Sequence, residues 1–446
     1  MEIDYSKLSP MMKQYFETKD KYPGHILFFR IGDFYEMFYD DAVTVSKVLE
    51  LTLTGKDCGQ EERAPMCGVP HHAADTYIKR LIDNGYKVAV CEQVEDPKTA
   101  KGLVDRQVIK VVTPGTLTDS SMLRDDSNNY IASVYADGKS CAVCFADIST
   151  GSVELTDCSG DNVEERLINE ISRYSPAEMI FNQGFLDCKN VCSFIKARMN
   201  ISVQVMDDMC FEPSMQTRTL LKQFNADDLA ELGFDTDSGA ELSCVCGLFY
   251  YIADTQKSLT GRFTGITRST GGKYMELDLT ARRNLELVET MRSKEKKGSL
   301  LWVLDHTQTS MGKRMLKSCI EQPLVKPAMI IDRLSAVEQL CDNTVAREEM
   351  CRALSGIYDI ERLMTRVMYK TAVPRDLKAL EQTAAKLPEI KSILENFSAP
   401  LLKRLNEKID TLDELAALIS NAIVDDPPIG LKDGGVIRDG FNEELD

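Results

Sequence analysis

The spacing of apolar and polar residues changes twice along this chain of 446 residues. Residues 1–116 mix short apolar runs with helical spacing, which predicts an α+β domain. After a polar link at residues 117–129, strands come first and helices follow, so residues 130–255 are predicted to form an α/β domain. Residues 256–446 turn helical after Gly272, with apolar residues four and three positions apart, which is typical of long antiparallel helices. The predicted fold is therefore multidomain.

The first region is organised around an aromatic hairpin. Two short strands, Ile26–Ile31 and Phe34–Tyr39, are predicted on either side of Gly32-Asp33, a pair suited to the positive φ of a tight turn. The elements around the hairpin are predicted from capping residues and apolar spacing. They are a helix at Met11–Thr18, a second helix that begins at Asp40 and Asp41, a polar loop at Thr54–Ala64, a helix at Ala73–Asp83 and a strand at Tyr86–Val94.

One face of the hairpin carries the candidate chemistry. Side chains of a strand alternate between its two faces, so Phe34 and Glu36 project together while Tyr35 and Met37 point the other way. This arrangement places an aromatic ring beside a carboxylate. Periodicity alone favours a simpler interpretation, in which the hairpin is buried and its aromatic side chains belong to the core.

The two later regions show regular patterns of their own. In the second region the predicted elements are strands at Ile131–Tyr135, Ser140–Ile148 and Ser152–Thr156, a helix at Val163–Tyr174 and a strand at Glu178–Phe181. In the third region the recurring apolar residues are Leu377, Leu380, Ala384 and Leu387, and then Leu405, Ile409, Leu412, Ala416, Ile419 and Ile423.

The composition is that of an ordinary globular protein, with 43% hydrophobic and 28% charged residues. No apolar run reaches the roughly 18 residues of a membrane span, and the first residues contain no apolar signal core. We therefore expect a cytoplasmic protein that does not bind a membrane. Its 14 cysteines, without a secretory signal, favour reduced thiols over a disulfide framework.

The charge of the chain restricts where it could bind nucleic acid. A net charge of −17 argues against a general nucleic-acid coat, because phosphates are bound by Lys and Arg. The charge is unevenly spread, since residues 1–116 carry −3 and the remaining residues carry −14. Any contact with DNA is therefore expected to be local and to lie near the amino end.

Several motifs together resemble one protein family. They are GDFYEMF at Gly32–Phe38, PMCGVPHHA at Pro65–Ala73, CEQVEDP at Cys91–Pro97, VTPGT at Val112–Thr116, RRNLEL at Arg282–Leu287 and LLWVLDHTQTSMGKRML at Leu300–Leu316. The combination is similar to the amino-terminal half of MutS, the DNA mismatch-recognition family, over nearly the whole chain. The resemblance implies an α+β mismatch-recognition domain, an α/β connector similar to ribonuclease H, and the first part of an all-α core or lever domain.

The family is a dimeric ATPase. The resemblance therefore implies a second MutS subunit and the MutL repair protein as partners, in the cytoplasm and associated with the nucleoid. A search for GxxxxGK[ST] finds no match, since neither Lys273 nor Lys313 is followed by Ser or Thr. We expect that clamp, returning lever helices and ATPase lie beyond this chain, so that ATP and Mg²⁺ bind elsewhere and the chain itself is neither an enzyme nor a cofactor-binding protein.

The resemblance also assigns DNA contacts. It implies that Phe34 enters the duplex as a wedge and that Glu36 contacts the edge of a mispaired base. Lys56 and Arg106 match basic positions that would hold phosphates, and Met66 matches a position beside the wedge. For Met66 a role in the core stays open, and for the two basic residues a role as solvated surface charge.

Other candidate sites are weaker. Cys141 and Cys144 have the spacing of a zinc knuckle, but on a strand, residues three apart face opposite sides, which favours buried free thiols. His71 and His72 are expected to mark the entry of a helix. Asp147 is the one carboxylate suggestive of a ribonuclease H-type nuclease, and that chemistry requires several carboxylates to hold two Mg²⁺ ions. We therefore predict neither a catalytic nor a metal site.

Two functions remain open at this stage. One is recognition of mismatched or unpaired bases in double-stranded DNA to initiate repair, by insertion of the Phe34 ring and kinking of the duplex. The alternative is a non-catalytic scaffold, in which connector and lever bind partner proteins without independent DNA discrimination. The first requires an exposed Phe34 in a positive groove, whereas the second requires neither.

Overall fold

The computed structural model describes residues 8–59, 62–95, 104–138, 140–235, 239–257, 263, 265–269, 273–428, 434–444 and 446. The first domain contains α1 (Pro10–Lys19), β1 (His25–Ile31), β2 (Phe34–Phe38), α2 (Tyr39–Leu49), β3 (Thr54–Lys56), β4 (Ala64–Pro70), α3 (Ala74–Asp83), β5 (Lys87–Gln93) and β6 (Arg106–Val112). Its six strands have the order β3-β4-β2-β1-β5-β6. Strands β1 and β5 are parallel, and the other neighbours are antiparallel.

The hairpin lies at the centre of this sheet, with a hydrophobic core on each face. Alternate side chains of the strands point to opposite faces, so neighbouring residues enter different cores. Phe28 and Tyr35 pack with residues of α2 and α3 on one face. Phe29 and Phe38 pack with residues of α1 on the other. The sheet is therefore covered on both sides, except at the end where β1 turns into β2.

Three strands of the first domain were not predicted. Strand β3 lies within the polar segment Thr54–Ala64, which was expected to be a loop. Strand β4 contains Gly68 and ends at Pro70, two residues that weaken the sequence signal of a strand. The third, β6, pairs with β5 along its whole length. These strands are stabilised by pairing with a neighbouring strand, and the local sequence does not show that pairing.

The second domain has the predicted order of strands first and helices after. It contains β7 (Ile131–Asp137), β8 (Ser140–Asp147), β9 (Ser152–Asp157), α4 (Val163–Tyr174), β10 (Glu178–Phe181), α5 (Lys189–Arg198), β11 (Ser202–Val205), α6 (Pro213–Phe224), α7 (Gly239–Gln256) and β12 (Thr267–Arg268). The strand order is β11-β10-β7-β8-β9-β12. Helix α7 packs on one face of the sheet, and α4 and α5 pack on the other.

The third region is helical, as predicted. It contains α8 (Leu279–Asn284), α9 (Leu300–Leu304), α10 (Ser310–Glu321), α11 (Pro327–Asp342), α12 (Thr344–Ser355), α13 (Ile360–Met368), α14 (Pro374–Ala384), α15 (Leu387–Leu394), α16 (Pro400–Lys408) and α17 (Asp413–Ala422). Most of these helices are short, and α14 to α17 break the two apolar repeats that were expected to form long helices.

The break between α16 and α17 has a local cause. Leu412 has a left-handed conformation with φ of +54°, which ends helical geometry. The side chain of Asp410 accepts a hydrogen bond from the Leu412 N–H at 2.9 Å, and the Thr411 hydroxyl donates to Asp413 at 2.8 Å. Short polar side chains that bind the nearby backbone favour turns over helices. The apolar spacing continues through the turn although the two helices pack in different cores, α16 with α12 and α15, and α17 with α14.

A buried ionic network joins the first two domains. Glu178 on β10 is completely buried, and its Oε1 atom lies 2.7 Å from Nζ of Lys87 on β5. The same oxygen accepts a hydrogen bond from the Tyr251 hydroxyl at 2.8 Å. The other carboxylate oxygen accepts from the Thr113 hydroxyl and, at 3.2 Å, from the Gly115 N–H. A buried charge with this many partners fixes the relative position of the elements that supply them.

Gly115 is required by this close packing. A Cβ atom at this position would lie 2.8 Å from Cβ of Ile131 and 2.9 Å from Cβ of Glu178, which is closer than carbon atoms can approach. The backbone after β6 therefore reaches Glu178 only because residue 115 has no side chain.

In the described part of the chain, no helix is both long and apolar enough to cross a membrane.

We predict that Glu178→Gln destabilises the protein by about 3 kcal/mol, because it leaves the Lys87 ammonium without its buried counter-ion. Denaturant unfolding of both proteins measures the difference. Asp83→Asn is the matched control, since Asp83 pairs with Lys79 at the surface and its loss should change stability by less than about 1 kcal/mol. Equal small effects of both changes would contradict the structural role given to Glu178.

Candidate nucleic-acid interface

The turn between β1 and β2 places Phe34 at the edge of the first domain. Gly32 has φ of +57° at this turn, as predicted. The turn is held from both sides, since Nε of Arg30 donates to the Gly32 carbonyl at 2.5 Å and the His71 N–H donates to the Asp33 carbonyl at 2.9 Å. Phe34 follows directly, and 46% of its surface is exposed. An exposed aromatic ring on a well-held turn is suited to contact another molecule.

Glu36 lies on the same face of β2, two residues behind the ring. It is opposite Phe29 on β1 and Gly68 on β4. Its side chain is 15% exposed, and its Oε2 atom lies 2.5 Å from Nζ of Lys56. The carboxylate is thus recessed behind the exposed ring and is paired with a cation.

Gly68 was not identified from the sequence as a site residue, although it lies within PMCGVPHHA. A Cβ atom at this position would lie 3.3 Å from the Tyr35 carbonyl oxygen, 3.5 Å from Cγ of Glu36 and 3.8 Å from Cδ1 of Phe34. A Cβ atom here would crowd the Tyr35 carbonyl and would touch both candidate recognition residues at ordinary van der Waals distances. Because residue 68 is glycine, no side chain fills the space between Phe34 and Glu36.

The opposite face of the hairpin anchors it. The Tyr35 hydroxyl donates a hydrogen bond to Glu92, whose carboxylate also lies 3.3 Å from Nη1 of Arg30. Burial, followed by the hydrogen bond and the charge of Glu92, raises the pKa of Tyr35 well above its ordinary value. The phenol therefore stays protonated at neutral pH and can donate this hydrogen bond.

Met66 does not lie next to the Phe34 ring. On β4 it is paired with Phe38, whereas Phe34 is paired with Pro70, four residues further along the strand. That separation corresponds to about 13 Å. Met66 is partly buried and packs against the core on the α1 side. The surroundings of Met66 favour a role in the core, which the sequence left open as the alternative to a position beside the wedge.

Arg106 differs from the phosphate contact expected from the sequence. Its side chain is buried, and its guanidinium donates to the Arg30 carbonyl at 2.7 Å, to Oε1 of Gln14 at 3.0 Å and to the Val104 carbonyl at 3.0 Å. The guanidinium carbon also lies 5.2 Å from the centre of the Phe29 ring. Burial lowers the pKa of Arg106. The residue ties α1 and β6 to the central strand, and it presents no free cation to a ligand.

Asp147 is likewise committed to the fold. It is completely buried, and its Oδ2 atom accepts from the Asn128 amide at 2.9 Å and the Asn129 N–H at 3.1 Å. Its Oδ1 atom accepts from the N–H and hydroxyl of Ser149 at 2.8 and 2.7 Å. Asp147 therefore attaches the polar link to the second domain. Among the described residues, no group of three or more His, Cys, Asp or Glu could hold a metal ion.

The cysteine and histidine pairs also occupy structural positions. Cys141 and Cys144 are buried in the two cores on opposite faces of β8, as strand geometry requires. Burial raises the pKa of both thiols, which keeps them protonated. His71 and His72 form the 3₁₀ turn that leads into α3, the predicted helix entry.

Comparison with known proteins agrees with this architecture. Residues 9–121 match the family model described as MutS domain I, residues 129–264 match MutS domain II and residues 280–445 match MutS domain III. The chain is 45% identical over 441 residues to the "DNA mismatch repair protein MutS" of Lachnoclostridium phytofermentans, an alignment that covers 99% of this chain and 47% of the relative. It is 46% identical over 442 residues to the protein of the same name from Alkaliphilus oremlandii, with 99% and 50% covered.

Two mixed-sheet domains followed by a helical region, with an exposed aromatic ring on the first, define a multidomain protein of the kind described by these three domain models. The chain belongs to the MutS family. It spans about half the length of the curated relatives that it matches.

We predict that the purified chain hydrolyses neither ATP nor DNA. Its sequence contains no P-loop motif, and Asp147 has no free lone pair facing a metal site. Phosphate release from ATP and nicking of a supercoiled plasmid with Mg²⁺ are the two assays. Nicking that disappears in Asp147→Asn would contradict this prediction and restore the nuclease hypothesis.

Proposed function

We propose that this chain recognises mismatched or unpaired bases in duplex DNA through the face of the first domain that carries Phe34 and Glu36. The observation that carries this proposal is the exposure of Phe34, a large apolar side chain placed outside both cores on a turn held by hydrogen bonds from Arg30 and His71. The names of the relatives, which describe DNA mismatch repair proteins, support the same function.

Discrimination follows from the energetics of inserting a ring into stacked bases. A planar apolar ring that enters from the minor groove unstacks a base step at a cost of about a few kcal/mol, and it kinks the duplex. A mispaired or unpaired base has already lost part of its stacking and pairing, so insertion costs less there. Phe34 therefore tests how easily the duplex deforms, and reads no particular sequence.

Glu36 adds a second test at the mispaired base. In a complex with DNA, phosphates and the loss of water both disfavour the ionised form of a carboxyl group. A protonated carboxyl group can donate a hydrogen bond to an acceptor on the edge of a displaced base. In paired DNA the base is held in the stack, and the charge of Glu36 is left to repel the backbone. Glu36 thus penalises binding to paired DNA.

The remaining assignments follow from the family. We assign residues 1–116 to mismatch recognition, residues 130–255 together with β12 to a connector similar to ribonuclease H, and the helical residues that follow β12 to the first part of the lever. The full-length relatives' ATP and Mg²⁺ site, a second MutS subunit and the MutL partner are proposed to complete the assembly. A scaffold that only binds proteins would keep its function without Phe34, which makes Phe34 the residue to test.

We predict that Phe34→Ala abolishes the preference for a mismatched duplex and leaves weak, salt-sensitive binding to both duplexes, because the remaining phosphate contacts do not distinguish them. Fluorescence anisotropy with matched and mismatched oligonucleotides measures the ratio of dissociation constants. Leu186→Ala is the control, since Leu186 is equally exposed, at 46%, on the second domain. An unchanged ratio in Phe34→Ala would favour the scaffold.

We predict that Glu36→Gln tightens binding to paired DNA more than to mismatched DNA, because glutamine is neutral and still donates a hydrogen bond. The ratio of the dissociation constant for paired DNA to that for mismatched DNA should fall several-fold. Titrations of both duplexes at one salt concentration, repeated between pH 6 and 8, provide the test. If glutamine tightens neither duplex, or both equally, Glu36 does not discriminate.

A further inference from the structure

The contacts of Lys56 differ from those of a phosphate-binding lysine. A lysine that binds a backbone phosphate usually extends into solvent from the protein surface. The Lys56 side chain is only 29% exposed, and its Nζ atom pairs with Glu36 at 2.5 Å. The same Nζ atom lies 5.7 Å from the centre of the Phe38 ring. Both neighbours of the ammonium group thus lie on β2.

Lys56 and Glu36 meet across a strand that lies between them. Lys56 is on β3, an edge strand of three residues, and β4 lies between β3 and β2. Lys56 is paired with Ala64 on β4, and Glu36 is paired with Gly68, four residues further along the same strand. Register alone does not bring the two residues together, so the contact at 2.5 Å depends on the long Lys56 side chain, which runs along the sheet towards Glu36.

The ion pair changes the charge that approaches DNA. Without Lys56, the wedge would bring a bare carboxylate close to the duplex, where it would be repelled by phosphates. With Lys56 the pair carries no net charge, so the repulsion between Glu36 and the phosphates is weakened but not abolished, and a partly buried pair is screened less by salt than one in bulk water. Among the residues that the structure describes, Cys58, whose thiol pKa is raised by burial, and Asp57 are titratable groups close to the pair. Arg30 pairs with Glu92 on the other face.

We infer that Lys56 is the positioning residue and counter-ion of Glu36, and that it affects DNA binding through Glu36 and not by holding a phosphate itself. This inference rests on the proposed function of Phe34 and Glu36. Lys56 holds the carboxylate against the sheet behind the ring and neutralises it as the duplex approaches. Both residues then act as one unit, although 20 positions separate them in the sequence.

A double-mutant cycle tests this coupling in the whole chain. The variants are Lys56→Met, Glu36→Gln and the combination, with binding to mismatched and paired duplexes measured by anisotropy at pH 8. We expect Lys56→Met to weaken binding about tenfold when residue 36 is Glu and by about twofold or less when it is Gln, because the bare carboxylate is then absent. Lys56→Arg keeps the charge and should restore binding.

The salt dependence provides a readout that a purely structural role would not change. Lys56→Met should lose most affinity at low salt, because repulsion between the unpaired charge of Glu36 and the phosphates is then least screened, and the double variant should lose this dependence. Lys47→Met is the matched control, since it removes the same charge from α2 on the opposite face of the sheet. Thermal unfolding of each variant confirms that it is folded.

The possible outcomes separate this inference from the proposed function. Lys56→Met could weaken binding by the same factor in both backgrounds and make the slope of log K against log salt less negative by about 0.9 in each. In that case Lys56 holds a phosphate and the inference is wrong. If the parent discriminates mismatches but Lys56 and Glu36 are uncoupled, the inference alone fails. A parent chain that binds both duplexes equally would overturn both.

Discussion

The pairing of β2 with a strand on each side is the constraint on which the candidate site depends. Because β1 and β4 both pair with β2, Phe34 and Glu36 share one face and cannot exchange it without breaking two ladders. The turn before Phe34 is held by Arg30 and His71, so the ring stays outside the core. The exposure of Phe34 therefore results from the strand pairing of β2 and from the contacts that hold the turn.

The charge distribution fits a protein that touches DNA at one place only. Of the two basic residues expected to bind phosphates, Arg106 is used inside the first domain and Lys56 is paired with a carboxylate. These two basic residues thus make contacts within the first domain. Under the proposed function, recognition would depend on the shape and deformability of the duplex more than on long-range attraction.

Much of the candidate site could be predicted from the sequence, because the hairpin has strong local signals of turn formation and side-chain alternation. The hairpin, its glycine turn and the shared face of Phe34 and Glu36 follow from alternation and turn chemistry. The contacts of Lys56 and Arg106 could not be predicted, because they depend on strand pairing between distant segments. The long helix expected through Leu412 was wrong for a related reason, since a polar turn ends one helix there and the next helix packs in a different core.

The buried Glu178 network has a mechanical consequence. If a ring is driven into a duplex, the stiff DNA pushes back on the domain that carries it, and this reaction force must be borne somewhere. Rotation of the first domain against the second would pull the Lys87 ammonium away from Glu178 and open the tight contact at Gly115. If Phe34 bends DNA as proposed, the Glu178 contacts would oppose rotation between the two domains, and the force on the first domain would reach β10 and α7.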